Sequence, residues 1–166
     1  MPGHSDVFTK AMGFDMQSTN GRATLKTILN EVAATFTKAP YIHIGGDEVA
    51  IQSGFLEEMS SYVRNTLKRK VVLWNPLMNK SITNDIADMT QMWSTKGTAV
   101  SGMPNIDCRY NYTNHFDVYA DLVGIYKSCI YYAQRGNEEI AGTISATWND
   151  TKTKSCLLYT SDAADE

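Results

Sequence analysis

Apolar positions along this chain alternate between two spacings. In GRATLKTILNEVAATF (21–36), Leu25, Ile28, Leu29, Val32 and Phe36 fall three or four residues apart, which predicts an amphipathic helix. The run YIHI (41–44) is short and apolar and reads as a buried strand. SGFLEEMSSYVRNTLKRK (53–70) returns to helical spacing through Phe55, Met59, Tyr62, Val63 and Leu67. VVLW (71–74) is a second strand, closed by Asn75-Pro76. A weaker helix is expected around 80–86, followed by the strand-like run ADMTQMW (87–93) and a loop containing Gly and Ser. NIDCRYNY (105–112) predicts another strand, and a helix near 117–129, extending to about 134, leads to the last one, IAGTISATW (140–148).

The pattern is a β-loop-α repeat with five expected strands. Sheets of this kind are either open and doubly wound or closed into a barrel. Trp74, Trp93, Tyr112 and Trp148 all stand at the C-terminal ends of their runs, as do Asp47 and Glu48. Open sheets place their sites mostly at one switch point, whereas (β/α)8 barrels draw on many strand ends at one face. Contributions from every strand favour the barrel. A complete one has eight strands in ~250 residues, so the expectation is a partial (β/α)8 TIM barrel over residues 1–155. No fixed short repeat suggests a solenoid. The segment 156–166 breaks the pattern, and LLYTSDAADE resembles translated sequencing-adapter sequence; it is expected to be a non-native tail.

Composition narrows the classes. The 166 residues suffice for a domain with a sizeable core, and 43% hydrophobic with 20% charged residues is ordinary for a globular protein. A net charge of −3, with no basic cluster beyond Lys68-Arg69-Lys70, argues against nucleic acid as a partner. That basic run is expected to be a solvated helix end. No apolar run approaches the ~18 residues of a membrane span, and the N-terminus lacks the basic and apolar regions of a secretory signal. Three widely spaced cysteines, Cys108, Cys129 and Cys156, read as free thiols rather than a disulfide or zinc framework.

The chemistry gathers in YIHIGGDEVA (41–50). A strand sends adjacent side chains to opposite faces, so bringing Asp47 and Glu48 to one place needs an irregular backbone. Gly45 and Gly46 supply it, because glycine accepts positive φ at little steric cost. HIGGDEV resembles the His-x-Gly-Gly-Asp-Glu motif of glycoside hydrolase family 20, the β-N-acetylhexosaminidases, where it ends the fourth barrel strand. MPGHS (1–5) resembles the family's loop after the third strand, and the interval of about forty residues fits. The resemblance runs from Met1 to about Asp150.

The resemblance implies a fragment covering strands four to eight, with strands one to three and the last helix missing, and a fragment that is inactive by itself. It makes Glu48 similar to the family's general acid/base and Asp47 similar to the aspartate that orients the substrate acetamide. Tyr112 looks like the tyrosine that contacts the acetamido oxygen. Trp74, Trp93 and Trp148 resemble the aromatic walls of the sugar pocket, and His4 and His43 match family positions near the acids. The implied substrate is an oligosaccharide or glycoconjugate ending in β-linked N-acetylglucosamine or N-acetylgalactosamine, with no cofactor or metal. The implied localisation is secreted or periplasmic.

Physical reasoning supports the same roles. Neighbouring residues cannot flank a sugar ring at the ~5–5.5 Å separation of two-carboxylate retaining enzymes or at the wider inverting gap. One acid can protonate the leaving oxygen while the substrate's own 2-acetamido carbonyl attacks the anomeric carbon. A negative neighbour also raises the pKa of the second acid, which suits Glu48 as a proton donor.

Plainer readings stand beside these. Asp47 and Glu48 could cap a helix. His43, His4, Trp74 and Trp93 could be core residues. Strand alternation sends Tyr110 and Tyr112 the same way and turns Asn111 and Thr113 away. Two positions depart from the family pattern. Asn114 stands where the family often has Asp, and Asp150 where it often has Glu, which leaves recognition of the far sugar hydroxyls open. His115 and Asp117 lie near that rim as contacts or a helix cap. The rival functions are a non-catalytic N-acetylhexosamine-binding protein and a metal-dependent hydrolase with His43, Asp47 and Glu48 as ligands.

Overall fold

The computed structural model describes residues 6–9, 14–94, 96–109, 111, 123–127 and 140–146. Its order is α1 (Thr19–Thr35), β1 (Tyr41–His43), α2 (Phe55–Asn65), β2 (Lys70–Asn75), β3 (Met89–Met92), β4 (Asn105–Asp107) and β5 (Ile140–Thr143). Residues 123–127 are helical. The strands form one sheet in the order β1-β2-β3-β4-β5, and every neighbouring pair is parallel. The protein is therefore α/β with a five-stranded parallel sheet. Strand order follows chain order throughout, so the described sheet has no point where winding reverses.

Ser18 caps α1 by accepting the Gly21 N–H at 3.2 Å, and Pro40 follows soon after its end. Helix α2 carries Glu57 and Glu58 in its first turn and Arg64 in its last, each complementing the helix dipole. Glu58 joins the two helices through Arg22 and through Lys26, the latter at 2.6 Å. Strand alternation turns Ile42, Val71 and Leu73 toward α1 and α2. There they pack with Leu29, Leu56, Met59 and Val63 in one apolar core. The other sheet face presents Tyr41, His43, Val72, Trp74 and Gln91, with Trp74 in register with Gln91.

Four expectations are corrected. Helix α2 stops at Asn65, not at 70. Lys68 takes a left-handed φ of 56°, and Arg69 N–H returns to Val63 O at 3.1 Å, turning the chain into β2. Lys68-Arg69-Lys70 is thus this turn and the start of β2 rather than a solvated helix end. Arg69 is half-buried there, binding Thr37 O at 3.0 Å. Around 80–86 there is no helix, only irregular chain and a turn at 84–86. The carbonyls of Asn84 and Asp85 accept from Arg64, and that of Ile86 accepts from Ser60 Oγ at 2.6 Å.

Strand β4 is the third correction, ending at Asp107 instead of running to 112. The Asp107 carboxylate accepts the Arg109 N–H at 3.2 Å, a local bond that bends the backbone away from the ladder. Asn111, just past this bend, is buried. The fourth is β5, which closes at Thr143, and of the described residues beyond it Ala146 forms an isolated bridge. Cys108 is a buried free thiol, and Cys129 and Cys156 lie outside the described residues.

Candidate active site

The end of β1 bends as the glycine pair requires. Gly45 has φ 74° and Gly46 φ 112°, both in the region where a β-carbon is strained. A Cβ on Gly46 would also meet Leu77 Cδ2 at 2.6 Å. The hinge is bonded to β2 on both sides of the turn: Ile44 N–H donates to Val72 O and Trp74 N–H to Gly45 O, each at 3.1 Å. Asp47 follows directly and is half-buried, while Glu48 is exposed. Burial raises the Asp47 pKa above the ordinary carboxylate range, and the charge of Glu48 adds to this against backbone N–H bonds that pull it down.

His43 and Trp74 meet beside the hinge, their ring centroids 4.7 Å apart and their planes tilted by 57°. Nδ1 of His43 accepts the Gly45 N–H at 3.0 Å. His43 is exposed, yet the chain packed around its ring desolvates it and pushes its pKa down to about 4. The bond agrees with that direction, since an Nδ1 that accepts carries no proton. Trp93, half-buried at the end of β3, donates its indole N–H to Pro76 O at 3.3 Å, and its backbone N–H reaches Asn75 O at 3.2 Å. Behind the hinge, on the helix side of β1, lies an apolar cleft of about 540 Å³ lined by Leu25, Ile28, Gly46, Val49 and Phe55.

Of the residues singled out from the sequence, His43, Asp47, Glu48, Trp74 and Trp93 stand at the C-terminal ends of β1, β2 and β3 or just beyond. His43 and Trp74 are in contact with each other. His4, Tyr112, Asn114, Trp148 and Asp150 lie outside the described residues. Among the described residues there is no group of three His, Cys, Asp or Glu that could hold a metal ion. None of the described helices is long and apolar enough to cross a membrane.

Two features at the same sheet edge went unread in the sequence. Buried Asp107 holds Arg109 through Nε at 2.9 Å and Nη2 at 2.5 Å, and Arg109 Nη1 reaches Gly97 O at 3.3 Å. The Asp-x-Arg spacing at a strand end was the available signal. Asn111 joins β4 to β5 through Thr143, a link without a local signature. Compared with protein-family models and with curated proteins, the chain matches none.

Proposed function

We propose that this chain is part of a retaining exo-β-N-acetylhexosaminidase, a glycoside hydrolase acting on terminal β-linked N-acetylglucosamine or N-acetylgalactosamine. The observation that carries this reading is the double positive-φ hinge, Gly45 and Gly46, placed immediately before Asp47 and Glu48 and next to Trp74. In this reading β1 to β5 are the fourth to eighth strands of a (β/α)8 barrel. Support comes from five parallel strands ordered as in the chain, with His43, Asp47, Glu48, Trp74 and Trp93 at or just beyond the C-terminal ends of the first three.

Glu48 gives its proton to the glycosidic oxygen as the C1–O bond breaks. The acetamide carbonyl oxygen of the substrate bonds to C1 from the opposite face, forming an oxazolinium ion. Asp47 accepts the acetamide N–H and offsets the positive charge. Water then attacks C1, its proton passes to Glu48, and the ring opens with net retention. The half-burial of Asp47 suits this role, because a carboxylate shielded from water interacts more strongly with a developing cation. Trp74 offers an apolar face of the kind that stacks on sugars.

The test is hydrolysis of a chromogenic N-acetyl-β-glucosaminide by the complete enzyme that carries this sequence. Glu48→Gln is expected to lower turnover by about 10²–10⁴-fold on substrates with poor leaving groups, and less on activated aryl glycosides. Full activity of that variant on a poor leaving group contradicts the reading.

A further inference from the structure

The contact between His43 and the hinge has a consequence for the proposed reaction, on whose reading it rests. Gly45 is held from both sides: its N–H by the imidazole Nδ1 at 3.0 Å, its carbonyl by the Trp74 N–H at 3.1 Å. The imidazole that makes the first bond also packs on the Trp74 ring. Side chain, hinge and neighbouring strand thus form a closed set of contacts two residues before Asp47. Gly45 at φ 74° sits where the backbone has no intrinsic preference for one geometry, because glycine visits both signs of φ with similar ease. Two bonds act on the observed turn, one from Trp74 on the neighbouring strand and one, the imidazole–amide bond, from within β1 itself.

We infer that His43 is a positioning residue, a neutral imidazole latch that fixes the glycine hinge and thereby the placement of Asp47 and Glu48. Nδ1 is already occupied as an acceptor, so it is not free to take a proton from substrate or from Glu48 without releasing Gly45. The lowered pKa agrees, since the ring stays neutral and the latch closed through weakly acidic and neutral pH.

Three variants of the complete enzyme separate the roles. His43→Asn places an amide oxygen close to the position of Nδ1. His43→Gln carries the same acceptor one carbon further out, and His43→Phe keeps a ring against Trp74 without any acceptor. The Phe and Gln variants are expected to lose about 10²-fold in kcat, the scale of a misplaced catalytic group, with KM nearly unchanged. The Asn variant recovers most of that loss. Hydrogen exchange of the 41–50 peptide, followed by mass spectrometry, is expected to speed up in the Phe and Gln variants and to stay slow in the Asn variant.

A Gln variant as active as the Asn variant overturns the latch. So does a loss confined to KM, which marks a ligand contact, or an acid limb of the pH–rate profile that disappears in all three variants, which marks a relay. A complete enzyme inactive on every N-acetylhexosaminide removes the hexosaminidase reading instead, and the exchange rates at the hinge still decide whether His43 is the latch.

Discussion

Asn111 donates from Nδ2 to Thr143 Oγ1 at 2.7 Å, while its own carbonyl receives the Ala146 N–H at 2.9 Å and the Ser145 hydroxyl at 3.1 Å. One buried amide residue past the end of β4 therefore fastens β4 to β5. Replacing it by Ala leaves the half-buried Thr143 hydroxyl without this donor. Asn111→Ala is expected to cost about 1–3 kcal/mol, and Thr143→Val less. Combining Asn111→Ala with Thr143→Ala should give a coupling energy of at least about 0.5 kcal/mol in urea unfolding of the complete protein. Strict additivity would mean the bond contributes nothing specific.

The two hinge glycines differ in what an added methyl meets. At Gly46 the φ of 112° is strained for any L-residue, and the new Cβ would sit 2.6 Å from Leu77 Cδ2. At Gly45 the nearest atom is Trp74 Cδ1 at 4.0 Å, and φ 74° lies close to the left-handed basin. Gly45→Ala is expected to cost about 1–2 kcal/mol and Gly46→Ala more, up to about 3 kcal/mol from the backbone alone. Thermal unfolding gives the order directly, and Gly45→Ala as the worse variant would refute it.

Asp88 ties α2 to β2, accepting from Arg64 Nε at 3.0 Å and from the Val71 N–H at 2.8 Å. Burial works to raise its pKa, but the Arg64 bond, the Val71 N–H and the charges of Arg64 and Lys70 together bring it below the ordinary value. A carboxyl lowered in the folded state stabilises fully above its unfolded pKa and loses that contribution as pH falls through the folded pKa. Stability should therefore decline as pH passes below the usual aspartate range. Asp88→Asn is expected to flatten this decline and to cost about 1 kcal/mol near neutrality. Chemical denaturation of both proteins at pH 7 and at pH 3 tests it; parallel curves would exclude Asp88 as a contributor.

Asp47 supplies a second pH dependence, with the opposite shift. Burial first, and then the Glu48 charge, keep it protonated to higher pH than an ordinary aspartate. If ionised Asp47 orients the acetamide, the acid limb of kcat/KM lies above the usual aspartate value. In Glu48→Gln the negative neighbour is gone, so the limb of the residual activity on an activated substrate should move to lower pH. A limb that stays fixed in that variant assigns it to another group.

Much of this fold was readable because local pattern and tertiary environment agree. Ile42, Val71 and Leu73 lie in short apolar runs and do form the core side of the sheet. The glycine pair announced a bend, and both residues have positive φ. Reading failed where the chain turns without a glycine or proline to mark it, and where a partner distant in sequence decides. The spacing through Leu67 continues the α2 pattern, but Lys68 turns left-handed without a Gly or Pro to mark it. Nothing within 80–86 reveals that Arg64 and Ser60 capture its carbonyls. Asp107 and Arg109 looked like two more strand residues, yet they bond to each other where β4 ends.

The segment between β3 and β4 shows what a sheet laid down in chain order permits. Fully buried Asn105 binds Val100 N–H and C=O, Met103 O and the Thr90 hydroxyl, so this excursion is anchored at the foot of the strand that ends it. Because each return leads only to the adjacent strand, such an excursion can be exchanged for another without rethreading its neighbours. The loop between β3 and β4 can thus change length or sequence while the acidic turn after β1 keeps its shape.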